Sequence, residues 1–311
     1  MQTQKLILID GNALFYRAFH AIPALKTSKG ELVNAIYGFT SMLLSLLAKE
    51  YPEFIAIAWD SKAKTYRHEQ FTEYKGTRPP PPEGMYEQLP RLKNILEAFG
   101  IPSFAMDGYE ADDLLATISV KECAKNVDLR VGIASGDRDL FQLITSNISV
   151  LTPEFGFQKY TAYDPQKVQE KFQITPVQMI DYKSLVGDPS DNIPGVKGIG
   201  PTGAVNLLQQ YTTLENIYEH LAEIPGKMRE KLQNGKDAAF LSKHLVTLQK
   251  EAPIDFDLQE CKTHEFDLPQ IERFFQELEF KSLIKKLYEL ELLYNEKRQG
   301  DQNHALPLIF E

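Results

Sequence analysis

Along the first half of the chain, short apolar runs alternate with stretches in which apolar residues recur every three or four positions. Residues 5–9 (KLILI), 54–59 (FIAIAW), 101–105 and 130–134 (RVGIA) are such runs, and 147–151 makes a fifth. Runs of this length predict strands. Between them, 33–49 places Ile36, Phe39, Met42, Leu43, Leu46 and Leu47 at helical spacing, and 110–124 places Leu114, Leu115 and Ile118 on one face. Strands separated by helices predict an α/β fold with a mostly parallel sheet covered on both faces. From Asp164 onward the strand pattern fades, and helices are expected over 175–186, 202–211, 213–221, 238–249, 268–275 and 281–297.

Residues 61–100 break the alternation and are too long for an ordinary loop. They carry Lys62, Lys64, Arg67, Lys75 and Arg78 interleaved with Tyr66, Phe71 and Tyr74, then four prolines at 79–82. The expected organisation is an α/β catalytic part over 1–165 with this insertion, a helical part over 166–290, and a helix end with linker over 291–311. No internal repeat is evident.

A length of 311 residues suits two domains, and 43% hydrophobic with 25% charged residues is ordinary globular usage. No apolar run approaches the roughly 20 residues that span a bilayer, and the start lacks a signal peptide's pattern. A cytoplasmic protein is expected. Cys123 and Cys261 are too few for a disulfide framework or a four-cysteine zinc site. The balance of 43 Asp and Glu against 34 Lys and Arg, a net charge of −9, argues against a nonspecific basic coat for nucleic acid. It leaves room for a nucleic-acid enzyme with an acidic site.

The acids are arranged to make such a site. Asp10 follows LILI, Asp60 follows FIAIAW, and Asp137 and Asp139 follow VGIASG. The carboxyl ends of strands in an open parallel sheet form the edge where ligands bind, so these side chains are expected to converge there. Glu110, Asp112 and Asp113 open a helix, and Asp188 and Asp191 sit in GDPSDN. Nine carboxylates cannot crowd together ionised without cations, and hard oxygen donors suit Mg²⁺ or Mn²⁺. Two such ions about 4 Å apart activate water and stabilise a leaving oxygen in phosphoryl chemistry. The six histidines are scattered and form no HExxH. Singly, each acid also reads as a cap, a turn residue or a helix-start charge. Without the nine, acids and bases balance at 34 each.

Residues 195–204, GVKGIGPTGA, satisfy GxGxxG at Gly198, Gly200 and Gly203, but no strand precedes them and no βαβ unit follows, so a dinucleotide fingerprint is rejected. A hairpin between two helices fits better. Gly195, Lys197, Gly198, Gly200, Thr202 and Gly203 would let backbone N–H groups and a helix start approach a phosphate. A glycine-rich turn without a ligand is the plainer alternative.

Five segments in order resemble the flap endonuclease and 5′-3′ exonuclease family, most closely in the form found at the N-terminus of bacterial DNA polymerase I. They are LILIDGNALFYRAFHA (6–21), YKGTRPPPP (74–82), DGYEADDLLAT (107–117), SGDRDLFQL (135–143) and LVGDPSDNIPGVKGIGPTGA (185–204). The resemblance runs from about residue 5 to about 290. It implies a PIN-like nuclease fold with a helical arch at 61–100 and a helix-hairpin-helix subdomain. It also implies a two-Mg²⁺ structure-specific nuclease acting at 5′ ends of flapped, nicked or branched DNA and on RNA primers, in replication and repair. By position, Asp10, Asp60, Glu110, Asp112 and Asp113 would hold one metal, and Asp137, Asp139, Asp188 and Asp191 the second, with Asp112 or Asp113 between. Lys75 and Arg78 would face the scissile phosphate, and Tyr16 would stack on a neighbouring base. Arg67 and the hairpin would contact DNA, and the hairpin could hold K⁺. A monomer near the nucleoid is implied, either free-standing or cut from a longer chain with polymerase domains; the linker-like tail favours the latter. A metal-dependent ribonuclease on a related scaffold would need neither basic arch nor glycine hairpin. A noncatalytic junction binder would be expected to have lost acids.

Overall fold

The computed structural model describes residues 4–154, 159–263 and 266–300. Its centre is β1 (Gln4–Asp10), whose side chains alternate between the two faces of the sheet. Leu6 and Leu8 enter one apolar core, Ile7 and Ile9 the other. On one side β1 pairs in parallel with β2 (Phe54–Ala58), and β2 with β3 (Ser103–Phe104). On the other it pairs with β4 (Leu129–Ala134), which pairs with β5 (Ile148–Pro153). An antiparallel edge strand, β6 (Tyr160–Tyr163), completes the order β3-β2-β1-β4-β5-β6. The chain therefore reverses its direction of winding between β1 and β4, which opens a crevice at their carboxyl ends.

Helices α1 (Gly11–Ala21), α2 (Asn34–Glu50) and α4 (Leu89–Ala98) cover one face. The arch root between β2 and α4 holds the short α3 (Tyr66–Gln70). The other face is covered by α5 (Ala111–Lys125). Packed in the same core are α6 (Pro165–Phe172), α7 (Met179–Val186), α8 (Pro201–Tyr211), α9 (Leu214–Glu219), α10 (Gly226–Asn234) and α11 (Lys236–Val246). The chain then returns across the molecule. α12 (Leu268–Glu277) and α13 (Lys281–Gly300) bury Ile271, Phe275, Leu283 and Leu287 with α2 and α4. Residues expected to form one helical part thus divide between the two faces. Among the described residues no helix is long and apolar enough to cross a membrane.

The five expected strands are present, with shifted ends. The run 101–105 is in register with β2 only at Ser103 and Phe104, its carbonyls at Pro102 and Phe104 accepting from Ile57 and Trp59 N–H, and β2 is its sole neighbour. The strand β6 escapes the apolar pattern because YTAY is only half buried. α1, α6 and α10 are further additions. The expected linker from residue 301 onward lies outside the described residues.

Candidate metal and nucleic-acid site

Asp10 ends β1 and caps α1, its Oδ1 accepting from Ala13 N–H at 3.0 Å while Ser135 Oγ donates to Oδ2 at 2.7 Å. The helix can start so close because residue 11 is glycine: a Cβ there would lie 2.6 Å from the Trp59 ring. Burial pushes the Asp10 carboxyl up to about 7, and Asp60 and Asp137 push the same way. Asp60, past the end of β2, accepts from Ala111 N–H at 2.8 Å and so joins β2 to the start of α5; its own N–H donates to Asn12 Oδ1 at 2.9 Å. Its side chain reaches solvent at the mouth of the crevice, yet surrounding protein still raises its pKa, against Lys75 and Arg78. Asp112 is raised well above the usual range by burial, with Arg67 opposing and Glu110 adding to the rise. Its Oδ1 is buried without a hydrogen-bond partner.

Glu110 and Asp113 form the floor. Both are buried, and they close a capping box at the start of α5. Arg67, 1% exposed, donates to both Asp113 oxygens at 2.8 Å and to Glu110 Oε2 at 3.2 Å, and its Nε donates to Leu245 O. Asp113 also accepts from Gln249 N–H at 2.9 Å and Glu110 N–H at 3.2 Å. This corrects two expectations. Arg67 cannot contact DNA, because its guanidinium is consumed inside the protein. Asp113 has its lone pairs filled by that guanidinium and two amides, which leaves none facing the crevice.

The second group lies across the β4 end. Asp137 N–H donates to Ser135 Oγ, and Asp137 Oδ1 accepts from Asp139 N–H at 2.8 Å. Burial raises Asp137 against the pull of Lys183, while Asp188 and Asp191 reinforce the rise. Asp188 is partly buried too, but Lys183 at 2.8 Å and Ser190 hold it below the ordinary carboxylate range. Asp139 is ion-paired with the same Lys183. Asp191 is paired with Arg78, and its backbone oxygen accepts from Lys75 N–H at 3.0 Å. Lys75 Nζ lies 2.8 Å from Glu110 Oε1.

Eight of the nine acids therefore line one crevice, with three basic side chains standing among them. As arranged, no three of these carboxylates among the described residues form a ready metal cage. The donor set still fits hard divalent ions: all oxygen, four carboxyls raised chiefly by burial with neighbouring carboxylates adding to it, and one buried oxygen without a partner. Ser135, Asn12 and Lys183 belong to the site without having been singled out in sequence, and Tyr74 stood out only as an aromatic of the basic insertion. Tyr74 donates to Glu110 Oε2 at 3.1 Å. Ser135 was legible as the first residue of SGDRD, directly at the end of β4.

Tyr16 projects from α1 half exposed, its ring 4.3 Å from that of His20. In the hairpin Val196 and Ile199 are buried, while Lys197, Gly198, Gly200 and Thr202 face solvent. Gly195 (φ +60) and Gly198 (φ +86) need left-handed backbone. Gly200, the N-cap of α8, does not: its φ is −100, and a Cβ would meet open space. Lys231 Nζ donates to Gly198 O at 2.7 Å, and a Cβ at Gly203 would touch Met228.

Residues 5–173 match the model of the 5′-3′ exonuclease N-terminal resolvase-like domain, and 174–269 that of the 5′-3′ exonuclease C-terminal SAM fold. The chain belongs to the 5′-3′ exonuclease family. It is 38% identical to the 5′-3′ exonuclease of Aquifex aeolicus, a match covering 91% of this chain and 95% of that one. To DNA polymerase I of Caldicellulosiruptor bescii it is 43% identical over 285 residues, 91% of this chain and 33% of the polymerase. It thus spans about a third of the length of the polymerases it matches. Among solved structures, the 5′-exonuclease of T5 with divalent zinc bound superposes with a TM-score of 0.64 at 25% identity, over 88% of this chain and 98% of that one. The catalytic core of Rad2 with a DNA substrate shares the fold at a TM-score of 0.61 and 17% identity, covering 92% of both chains.

Proposed function

We propose that this 5′-3′ exonuclease family member hydrolyses phosphodiester bonds at or near the 5′ ends of flapped, nicked or branched DNA and of RNA primers. Mg²⁺, with Mn²⁺ as a substitute, would be held as two ions. Asp10, Asp60, Glu110 and Asp112 would serve one; Asp137, Asp139, Asp188 and Asp191 would serve the other. Bound there, the ions supply a hydroxide nucleophile and charge stabilisation for the leaving oxygen. Ser135 fixes the Asp10 carboxylate, Asp139 N–H that of Asp137, Asn12 and Ala111 N–H fix Asp60, and Arg67 braces the floor beneath Glu110. Lys75 and Arg78 would turn from Glu110 and Asp191 to the scissile phosphate, and Tyr16 would stack on the adjacent base. Lys197, Gly198, Gly200, Thr202 and Gly203 would hold the duplex backbone without reading sequence, and the hairpin would hold K⁺; Gly195, expected among them, is buried with its N–H donated to Ser242 Oγ at 2.9 Å and so takes no phosphate.

The observation that carries this reading is the set of carboxyls gathered at the β1/β4 crevice and raised chiefly by burial, beside basic residues on an insertion. The catalytic part would end near residue 165, close to where the two family models divide. We place the chain in the bacterial cytoplasm near the nucleoid, as a monomer, acting either free-standing or beside polymerase domains of the same longer chain. A 5′-end-labelled flap incubated with Mg²⁺ should yield one short labelled product, and chelator should abolish it. Robust cutting in excess chelator would refute the metal assignment.

A further inference from the structure

One cation in the crevice is mounted differently from the others. Lys75 and Arg78 stand on the insertion. Lys183 stands on α7, one turn before the loop that carries Asp188. Its side chain is 14% exposed, its Nζ is 2.8 Å from Asp188 Oδ2, and it is ion-paired with Asp139 as well. The mount is firm. The next two residues, Ser184 and Leu185, are fully buried, and Leu185 O accepts from Val196 N–H at 2.8 Å. The loop is firm too: Asp188 and Ile193 exchange both backbone hydrogen bonds, and a Cβ on Gly187 would lie 2.6 Å from Ile193 O.

We infer that Lys183 is an internal competitor for the second metal ion. The inference rests on the proposed assignment of Asp139 and Asp188 as ligands. An ammonium and a divalent ion cannot share the same two carboxylates at contact distance, because like charges at that spacing repel strongly in a partly buried setting. With helix and loop both fixed, the side chain alone can retreat. Metal entry at this pair therefore breaks two ion pairs, and the apparent affinity falls by that cost. In the metal-free protein the same lysine neutralises acids that would otherwise push the β4 end and the GDPSDN loop apart. The site keeps its shape without metal and loads its two ions unequally.

The test is Mn²⁺ titration calorimetry on the 311-residue chain and on Lys183→Met. Wild type should show a tighter and a weaker site. The variant should tighten the weaker one about tenfold, equivalent to roughly 1.4 kcal/mol of lost competition, leave the tighter one unchanged, and melt lower in chelator. An unchanged or looser weak site in folded Lys183→Met overturns the inference while leaving the metal assignment standing. Absence of Mn²⁺ binding in both proteins overturns both. Should the variant fail to fold, wild type decides: reductive methylation of Lys183, read by peptide mass spectrometry, should be slow in chelator and fast with Mn²⁺. Equal rates overturn the inference.

Discussion

Arg67 ties three segments distant in sequence: the arch root, the start of α5 and the exit of α11. Replacing it with Met keeps much of the volume and removes the charge. Asp113, fully buried, would then lose two hydrogen bonds of 2.8 Å, and Glu110 one of 3.2 Å. The carbonyl of Leu245 would lose its donor. Removing one partner of a buried ion pair costs about 3–5 kcal/mol, because the remaining charge stays desolvated. An orphaned buried carbonyl adds about 1–3 kcal/mol. Some of this is regained as Asp113 takes up a proton or water enters, so a loss near the lower figure, about 3 kcal/mol, is expected for Arg67→Met. The double variant Arg67→Met, Asp113→Leu removes the stranded carboxylate and should recover most of that loss. Urea denaturation of wild type, both single variants and the double variant measures the coupling directly. A loss under about 1 kcal/mol in Arg67→Met, or additive effects in the double variant, would refute the buried-charge argument.

Lys75→Ala and Arg78→Ala should each lower the single-turnover rate on a flap by about 10²–10³ while changing its Kd modestly, since the largest charge develops in the transition state; equal losses in rate and affinity would reject that role. Gly195→Ala should destabilise the fold, because its Cβ would lie 2.3 Å from Gly187 N. Gly200→Val, facing open space, should leave the melting temperature unchanged and weaken duplex binding for all sequences alike. Burial lets Asp10 hold its proton up to about pH 7 when folded, far above an ordinary aspartate. Metal-free stability from this group is therefore full below the unfolded value and falls as pH rises from about 4 to 7, the folded state holding the extra proton. Melting in chelator should drop from pH 5.5 to 8, Asp10→Asn should flatten that slope, and Mg²⁺ should raise the melting temperature at pH 8.

The acids were legible because each stands at a place that topology fixes. A strand end followed by Asp, in a parallel sheet, leaves the carboxylate little choice of edge. Glu110, Asp112 and Asp113 looked equivalent in sequence, but only burial separates them: helical phase turns Asp113 into the core, where Arg67 meets it. The same burial hid Arg67, which reads as one more basic residue of a charged insertion. Lys183 gave no signal, because its partners lie 5 and 44 positions away, and only the packed α7 brings them together. Gly200 resembled its neighbours by spacing alone, while the φ of −100 depends on where α8 begins.

The prolines at 79–82 have a consequence for motion along a strand. Four successive residues without an N–H cannot donate a main-chain hydrogen bond to a phosphate or a base. Restoring two donors by exchanging Pro80 and Pro81 for glycine should therefore lower the number of successive cuts per encounter, counted on a long labelled 5′ strand; an unchanged count would contradict this. A nucleic acid drawn past this stretch meets rings and carbonyls, so the backbone offers no rung at which it would pause. Along this segment the grip would fall to Lys75 and Arg78 at its foot, and the span itself would behave as a smooth rail, indifferent to the register of what slides along it.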